Sequence, residues 1–250
     1  MSTEASFSQA DLLSLFGDPA VRADPYPLYH RLREADPVHR SFVGFWILSR
    51  YEDCVAVLHD PRHSSDERNV TGYQGPASPT AFHELFYRLL LFRDDPDHAR
   101  LRGLVQKAFT RRVIESMRPR VEAIVAATLD ELAGEPSFDL MPTFAYSVPV
   151  TVICELLGVP VVDRDRFRAW AHDLTGRFEI QPLRTPEGEA RGDAATEALI
   201  DYFEELIAER RRDPRDDLLS ELIAAEEAGE RLQPDELYAT CILLLMAGHE

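Results

Sequence analysis

The chain has 250 residues, 45% of them hydrophobic, and a formal net charge of −17 from 44 acidic and 27 basic side chains. That length allows one large domain or two small ones, each with a buried core. The charge speaks against nucleic acid as a partner, because phosphate binding needs clustered cations.

The opening Met1-Ser-Thr-Glu-Ala-Ser lacks the basic start and apolar core of a signal peptide. No stretch approaches the ~18 apolar residues of a membrane span, so no membrane partner is expected. Asp24-Pro-Tyr-Pro opens a predicted helix, Leu28 to Ala35, which Pro37 ends. Val38 to Ser49 is rich in β-branched and aromatic residues around Gly44 and predicts two short strands and a turn. Tyr51 to Leu58 reads as a short helix closed by Asp60-Pro61. Residues 61–80 carry Ser64, Ser65, Gly72, Gly75, Pro76 and Pro79 and predict a long loop. Loops of that length usually act as lids or binding loops.

Beyond residue 80 the pattern is almost wholly helical. Asp95 is placed as an N-cap with Pro96 at the first helical position, and Asp213-Pro214 repeats that signature. Val113 to Leu132 is amphipathic. Val148 to Leu157 is apolar on nearly every face, which predicts a central buried helix stopped by Gly158 and Pro160. Asp163 to Gly176 and Pro186 to Arg212 predict two more helices. Between them, Arg177 to Thr185 holds Phe178, Ile180 and Leu183 among polar residues. That composition reads as a flap over an apolar ligand or as a lightly packed surface loop. Cys54, Cys154 and Cys241 sit in apolar stretches without metal-ligand spacing and are expected as buried, reduced thiols of a cytosolic protein.

Two constellations carry chemistry. On the helix after Pro96, His98 and Arg102 are four apart and share a face. A guanidinium fork beside an imidazole suits the acidic side groups of an anionic cofactor. The same pair also suits a solvated face neutralised by Asp94, Asp95 and Asp97. Arg100, Lys107, Arg111 and Arg112 make this region basic, as a site for an acidic protein partner or as helix-end charge balance. The helix opened by Pro234 runs into Leu243-Leu-Leu-Met-Ala-Gly-His-Glu250. Positions 243, 246, 247 and 250 share one face, apolar until the final acid. Gly248 marks either a C-cap or a place where something lies against the helix.

Phe92-Arg-Asp-Asp-Pro-Asp-His98-Ala-Arg-Leu-Arg102, followed by Ala108-Phe-Thr110, resembles the propionate-contacting helix of bacterial cytochromes P-450. Val148 to Pro160 is similar to their central buried helix, and Ala247-Gly248-His249-Glu250 to the oxygen-binding groove of their distal helix. Asp24-Pro-Tyr-Pro, the segment Trp46 to Leu58 and Ser64-Ser-Asp66 resemble the family too, in the correct order.

The resemblance implies a mainly α fold with a small β region at 38–49, the cytochrome P-450 fold, incomplete in this chain. Residues 1–250 would be the N-terminal portion of a single haem-thiolate monooxygenase domain. It implies haem (heme b, iron protoporphyrin IX) held by its propionates at His98 and Arg102, with dioxygen as co-substrate. Ala247 and Gly248 would line the dioxygen groove, and Glu250 would relay protons as dioxygen is reduced. Leu91, Phe92, Phe178, Leu243, Met246 and Ala247, with Leu90, would face a small apolar substrate. The family's iron-ligating cysteine lies in a later loop, so no metal ligand is assigned among these residues. Electrons would come from ferredoxin and ferredoxin reductase, in the cytoplasm, and the product would be an oxidised natural product. The alternative is a haem-free relative that assists another biosynthetic enzyme.

Overall fold

The computed structural model describes residues 7–42, 44–179, 184–227 and 233–248. The chain forms two compact units, Met1–Ser64 and Ser65–Glu250.

The first unit begins with two helices that were not predicted, α1 (Gln9–Gly17) and α2 (Pro19–Ala23). Side chains fix both starts. Ser8 and Asp11 form a reciprocal capping box at α1, and Asp18 accepts from the Ala20 amide at 2.9 Å to begin α2. Helix α3 (Tyr26–Ala35) follows, and its Leu28 and Leu32 bury against Leu12 and Phe7. Strands β1 (Val38–Arg40) and β2 (Trp46–Leu48) pair antiparallel, with His39 opposite Ile47. Gly44 adopts a φ of 98° in the connection, a value that favours glycine. Helix α4 (Tyr51–His59) closes the unit. Cys54 is half-buried, not buried as expected, and its thiol donates to the Leu48 carbonyl.

The second unit opens with the expected loop, which contains a single 3₁₀ turn at Glu67–Asn69. Its helices are α5 (Ala81–Phe86), α6 (Asp97–Ala108), α7 (Arg111–Leu132), α8 (Ser147–Leu156), α9 (Arg164–Thr175), α10 (Pro186–Arg212), α11 (Leu218–Glu227) and α12 (Pro234–Ala247). One core runs through them. Leu101 and Leu104 of α6, Ile153 and Cys154 of α8, Phe167 and Leu174 of α9, Leu199 and Phe203 of α10, Leu222 of α11, and Leu237, Ile242 and Leu245 of α12 are all buried in it. Helices α9 and α10 form an antiparallel pair, locked by Phe167 edge-on to Phe203 and by Tyr202 donating to Asp163 at 2.8 Å. On α8 every residue is buried or half-buried, as a sequence apolar on nearly every face predicts.

Two predicted helix starts are corrected. Helix α6 begins at Asp97, one residue later than expected, although Asp95 still accepts from the Ala99 amide at 3.1 Å. Asp213-Pro214 does not open a helix. Asp213 is the C-cap of α10, and α11 starts at Leu218. Asp217 is the acid that serves there. One oxygen accepts from the Ser220 amide at 2.8 Å, and the other binds the buried Arg210 at 2.6 Å. Arg210 also donates to the Gly158 carbonyl at 2.7 Å, so this pair joins the ends of α8, α10 and α11. Gly158 has a φ of 71°, and a Cβ there would fall 2.1 Å from Asp217. Helix α7 contributes no fully buried residue, and Ile114 and Leu129 on it are about half exposed.

Candidate functional site

The acids at the start of α6 are all engaged. Asp94 accepts from the Ser65 amide and from Asn69 Nδ2, both at 2.9 Å, which ties the long loop to α6. Asp97 pairs with Arg100 at 3.0 Å and lies 3.7 Å from Arg93. Asp95 takes the Ala99 amide and approaches His98 Nδ1 at 3.7 Å. Arg102, one turn beyond His98, is exposed and forms no ion pair among the described residues. The reading in which Asp94, Asp95 and Asp97 neutralise this face therefore fails for Arg102. Its sequence neighbours are turned to other tasks.

The basic stretch is thinner than the sequence indicated. Arg100 is held bidentate by Glu236 of α12, at 2.6 and 3.0 Å, and Arg111 by Glu115 at 2.8 Å. The Glu236 contact keeps the Arg100 guanidinium strongly charged, and it bolts α6 to α12. Lys107 and Arg112 remain exposed.

Helix α12 is buried from Glu236 to Ile242 and again at Leu245. The stripe singled out in the sequence is where that burial lapses. Leu243 and Met246 are half-buried and Ala247 is exposed. Gly248 faces elsewhere. A Cβ on it would lie 2.9 Å from Ile153 Cγ1 of α8, so the glycine permits a close crossing of two helices. Both sequence readings hold: Gly248 is the C-cap of α12, its amide donating to the Leu244 carbonyl at 3.0 Å, and the object lying against it is α8. His249 and Glu250 lie outside the described residues, as do Ile180 and Leu183 of the expected flap.

Phe92 and Phe178, 86 residues apart in the numbering, are brought together. Their rings stack with centroids 6.1 Å apart and planes 16° from parallel. Phe86 stacks on Phe92 at 3.9 Å, and Phe82 meets Phe178 edge-on at 5.2 Å. Leu90 is half-buried beside this wall, whereas Leu91 is 56% exposed. Phe82 and Phe86 were missed in the sequence. Their spacing of four on one face of α5 is the signal that would have found them. The flap also begins differently from a lightly packed loop. Arg177 and Phe178 form a 3₁₀ turn continuous with α9, and Arg177 is only 4% exposed.

All three cysteines lie on helices, Cys54 on α4, Cys154 on α8 and Cys241 on α12, and the last two are buried. Burial pushes the Cys154 thiol up to about 12 and raises that of the fully buried Cys241 further. Among the described residues no cluster of His, Cys, Asp and Glu is arranged to hold a metal ion, and no helix is long and apolar enough to cross a membrane.

Comparison with known proteins bears on this arrangement. The sequence profile described as Cytochrome P450 matches residues 44–250. Cytochrome P450 107B1 of Saccharopolyspora erythraea is 40% identical over 258 residues, covering 96% of this chain and 58% of that protein. Cytochrome P450 monooxygenase PikC of Streptomyces venezuelae is also 40% identical, over 99% of this chain and 58% of its own length. The crystal structure of myxobacterial CYP267B1 with myristic acid superposes with a TM-score of 0.82 at 39% identity, over 95% of this chain and 59% of that one. The chain thus spans little more than half the length of the relatives it matches. The fold, mainly α with one small sheet, is part of theirs, and this chain belongs to the cytochrome P450 family.

Proposed function

We propose that the chain is the N-terminal portion of one haem-thiolate monooxygenase domain that inserts one atom of dioxygen into a small apolar molecule. The observation that carries this reading is Arg102, an exposed guanidinium that forms no ion pair among the described residues of a chain of net charge −17, on the same face as His98. The pair fits the carboxylate edge of heme b, where each charge-assisted contact contributes about 1.5–3 kcal/mol. With all three cysteines on helices and two of them buried, the axial thiolate is assigned to the later loop that the family resemblance implies. Bound haem would supply the activation of dioxygen.

The protein's own residues have separate tasks. His98 and Arg102 hold the anionic edge. Arg100 and Glu236 keep α6 and α12 at a fixed spacing. Leu243, Met246 and Ala247 present an apolar stripe that excludes water, with the rings of Phe92 and Phe178 walling the substrate. Gly248 lets α12 approach α8. Glu250 carries the proton relay, because reduction of dioxygen consumes protons inside a dry pocket. The electron donor is a ferredoxin with its reductase, and the protein works in the cytoplasm on a natural product. The relatives include proteins described as mycinamicin IV hydroxylase/epoxidase and as a polyketide biosynthesis P450.

The test supplies the full-length protein with haem, a ferredoxin system, labelled dioxygen and a panel of macrolide and polyketide aglycones. One labelled oxygen atom in a product supports the reading. A protein that takes up no haem would overturn it in favour of the haem-free helper.

A further inference from the structure

We propose that Arg177 is a positioning residue that clamps the aromatic wall in place and so sets the size of substrate the pocket admits. This rests on the reading that Phe92 and Phe178 line that pocket.

A buried guanidinium is costly unless its charge is met on several sides. Arg177 is 4% exposed and is met by three groups from two elements. Its Nη1 lies 3.1 Å from Glu189 and its Nε 3.4 Å from Asp193, both on α10. Its guanidinium stands 4.6 Å over the ring of Phe82 on α5. Asp193 extends the clamp by accepting from the hydroxyl of Thr80 at 2.8 Å. Thr80 is the residue that caps α5, in a reciprocal arrangement with His83. One carboxylate thus joins the turn after α9 to the start of α5.

The stem of Arg177 needs room, and Gly192 provides it. A Cβ on Gly192 would sit 2.4 Å from Arg177 Cγ, 2.7 Å from its Cδ and 3.0 Å from the Asp173 carbonyl. Glycine is a poor residue inside a 27-residue helix, and here it makes the groove in which the arginine lies.

Arg177 and Phe178 are consecutive, and both grip Phe82. The guanidinium covers its face, and Phe178 meets the ring edge-on at 5.2 Å. Phe178 also stacks on Phe92. Displacing Arg177 therefore displaces the ring beside it, and the wall can separate only if Arg177 leaves Phe82 or Thr80 leaves Asp193. A bulky ligand needs that separation and a small one does not.

The test uses the haem-loaded full-length protein and two azoles, imidazole and clotrimazole, read by their shift of the Soret band. Arg177→Met and Gly192→Ala should each speed clotrimazole binding by about tenfold while leaving the imidazole Kd within about twofold. Thr80→Val should show the same selectivity to a smaller degree, and it carries the test if Arg177→Met fails to retain haem. A role confined to stability would shift the melting temperature without separating the two azoles. The proposal is overturned if both azoles respond equally, or neither does, while Phe178→Ala still alters clotrimazole binding. If Phe178→Ala leaves both azoles unaffected, the pocket reading falls and the clamp's role with it.

Discussion

Gly248→Ala is a small change with a calculable consequence. The added Cβ would lie 2.9 Å from Ile153 Cγ1 and 3.1 Å from Ile153 Cβ. Carbon atoms in good contact are ~3.5–4.0 Å apart. Roughly half an ångström or more must therefore be recovered, by moving α12 off α8 or by rotating Ile153. Rotation is resisted, because a β-branched side chain in a helix has essentially one χ1 rotamer (about 90% of cases). Overpacking of this kind costs about 1–3 kcal/mol, and alanine returns up to about 1 kcal/mol of helix propensity. A net loss of about 1–2 kcal/mol lowers Tm by roughly 2–8 °C in a chain of this size. In an Ile153→Ala background the Cγ1 is gone while the Cβ at 3.1 Å remains, and the same Gly248→Ala change should lower Tm by less. Thermal melts of the four proteins followed by circular dichroism give the cycle. If Gly248→Ala stabilises the chain with Ile153 intact, the helices do not meet at this glycine, and the packing account of Gly248 is wrong.

Replacing Cys54, Cys154 and Cys241 together should leave the thiolate-type Soret band of the reduced, carbon-monoxide-bound full-length protein in place. Its loss would put the iron ligand among these three. Arg210→Met should cost about 3–5 kcal/mol, because it leaves the buried Asp217 carboxylate unpaired and the Gly158 carbonyl short of a donor. Adding Asp217→Asn should recover part of that loss in denaturant titrations, whereas simple additivity would deny the coupling. Glu250→Gln should slow turnover or divert electrons to peroxide while leaving the substrate-induced spectral shift nearly unchanged. Full coupling at the parental rate would remove Glu250 from the relay.

Much of the fold was legible because its signals are local. Pro37, Gly158, Pro160 and Pro186 mark real helix boundaries, and the stretch from Val148 to Leu157, apolar on nearly every face, identifies a helix with no exposed residue. Caps were read less well, since two acids near one boundary compete. Asp217 prevails over Asp213 because it alone reaches Arg210 as well as an amide. Placement on a shared helix face was legible from spacing, as with His98 and Arg102 or Leu243, Met246 and Ala247. Contacts were not legible where partners are distant in sequence. Nothing near Arg100 points to Glu236, nor near Arg177 to Asp193 and Phe82. The role of Gly248 likewise depends on Ile153, which only packing brings to it.

The account depends most directly on α6 holding the haem by its acidic edge. That can be measured as the rate at which the haem-loaded full-length protein loses its cofactor to excess apomyoglobin. Arg102→Ala should raise that rate roughly ten- to a hundredfold, the equivalent of one charge-assisted contact. A rate equal to that of the parent would show that Arg102 merely faces water, and the proposed cofactor site would lose its anchor.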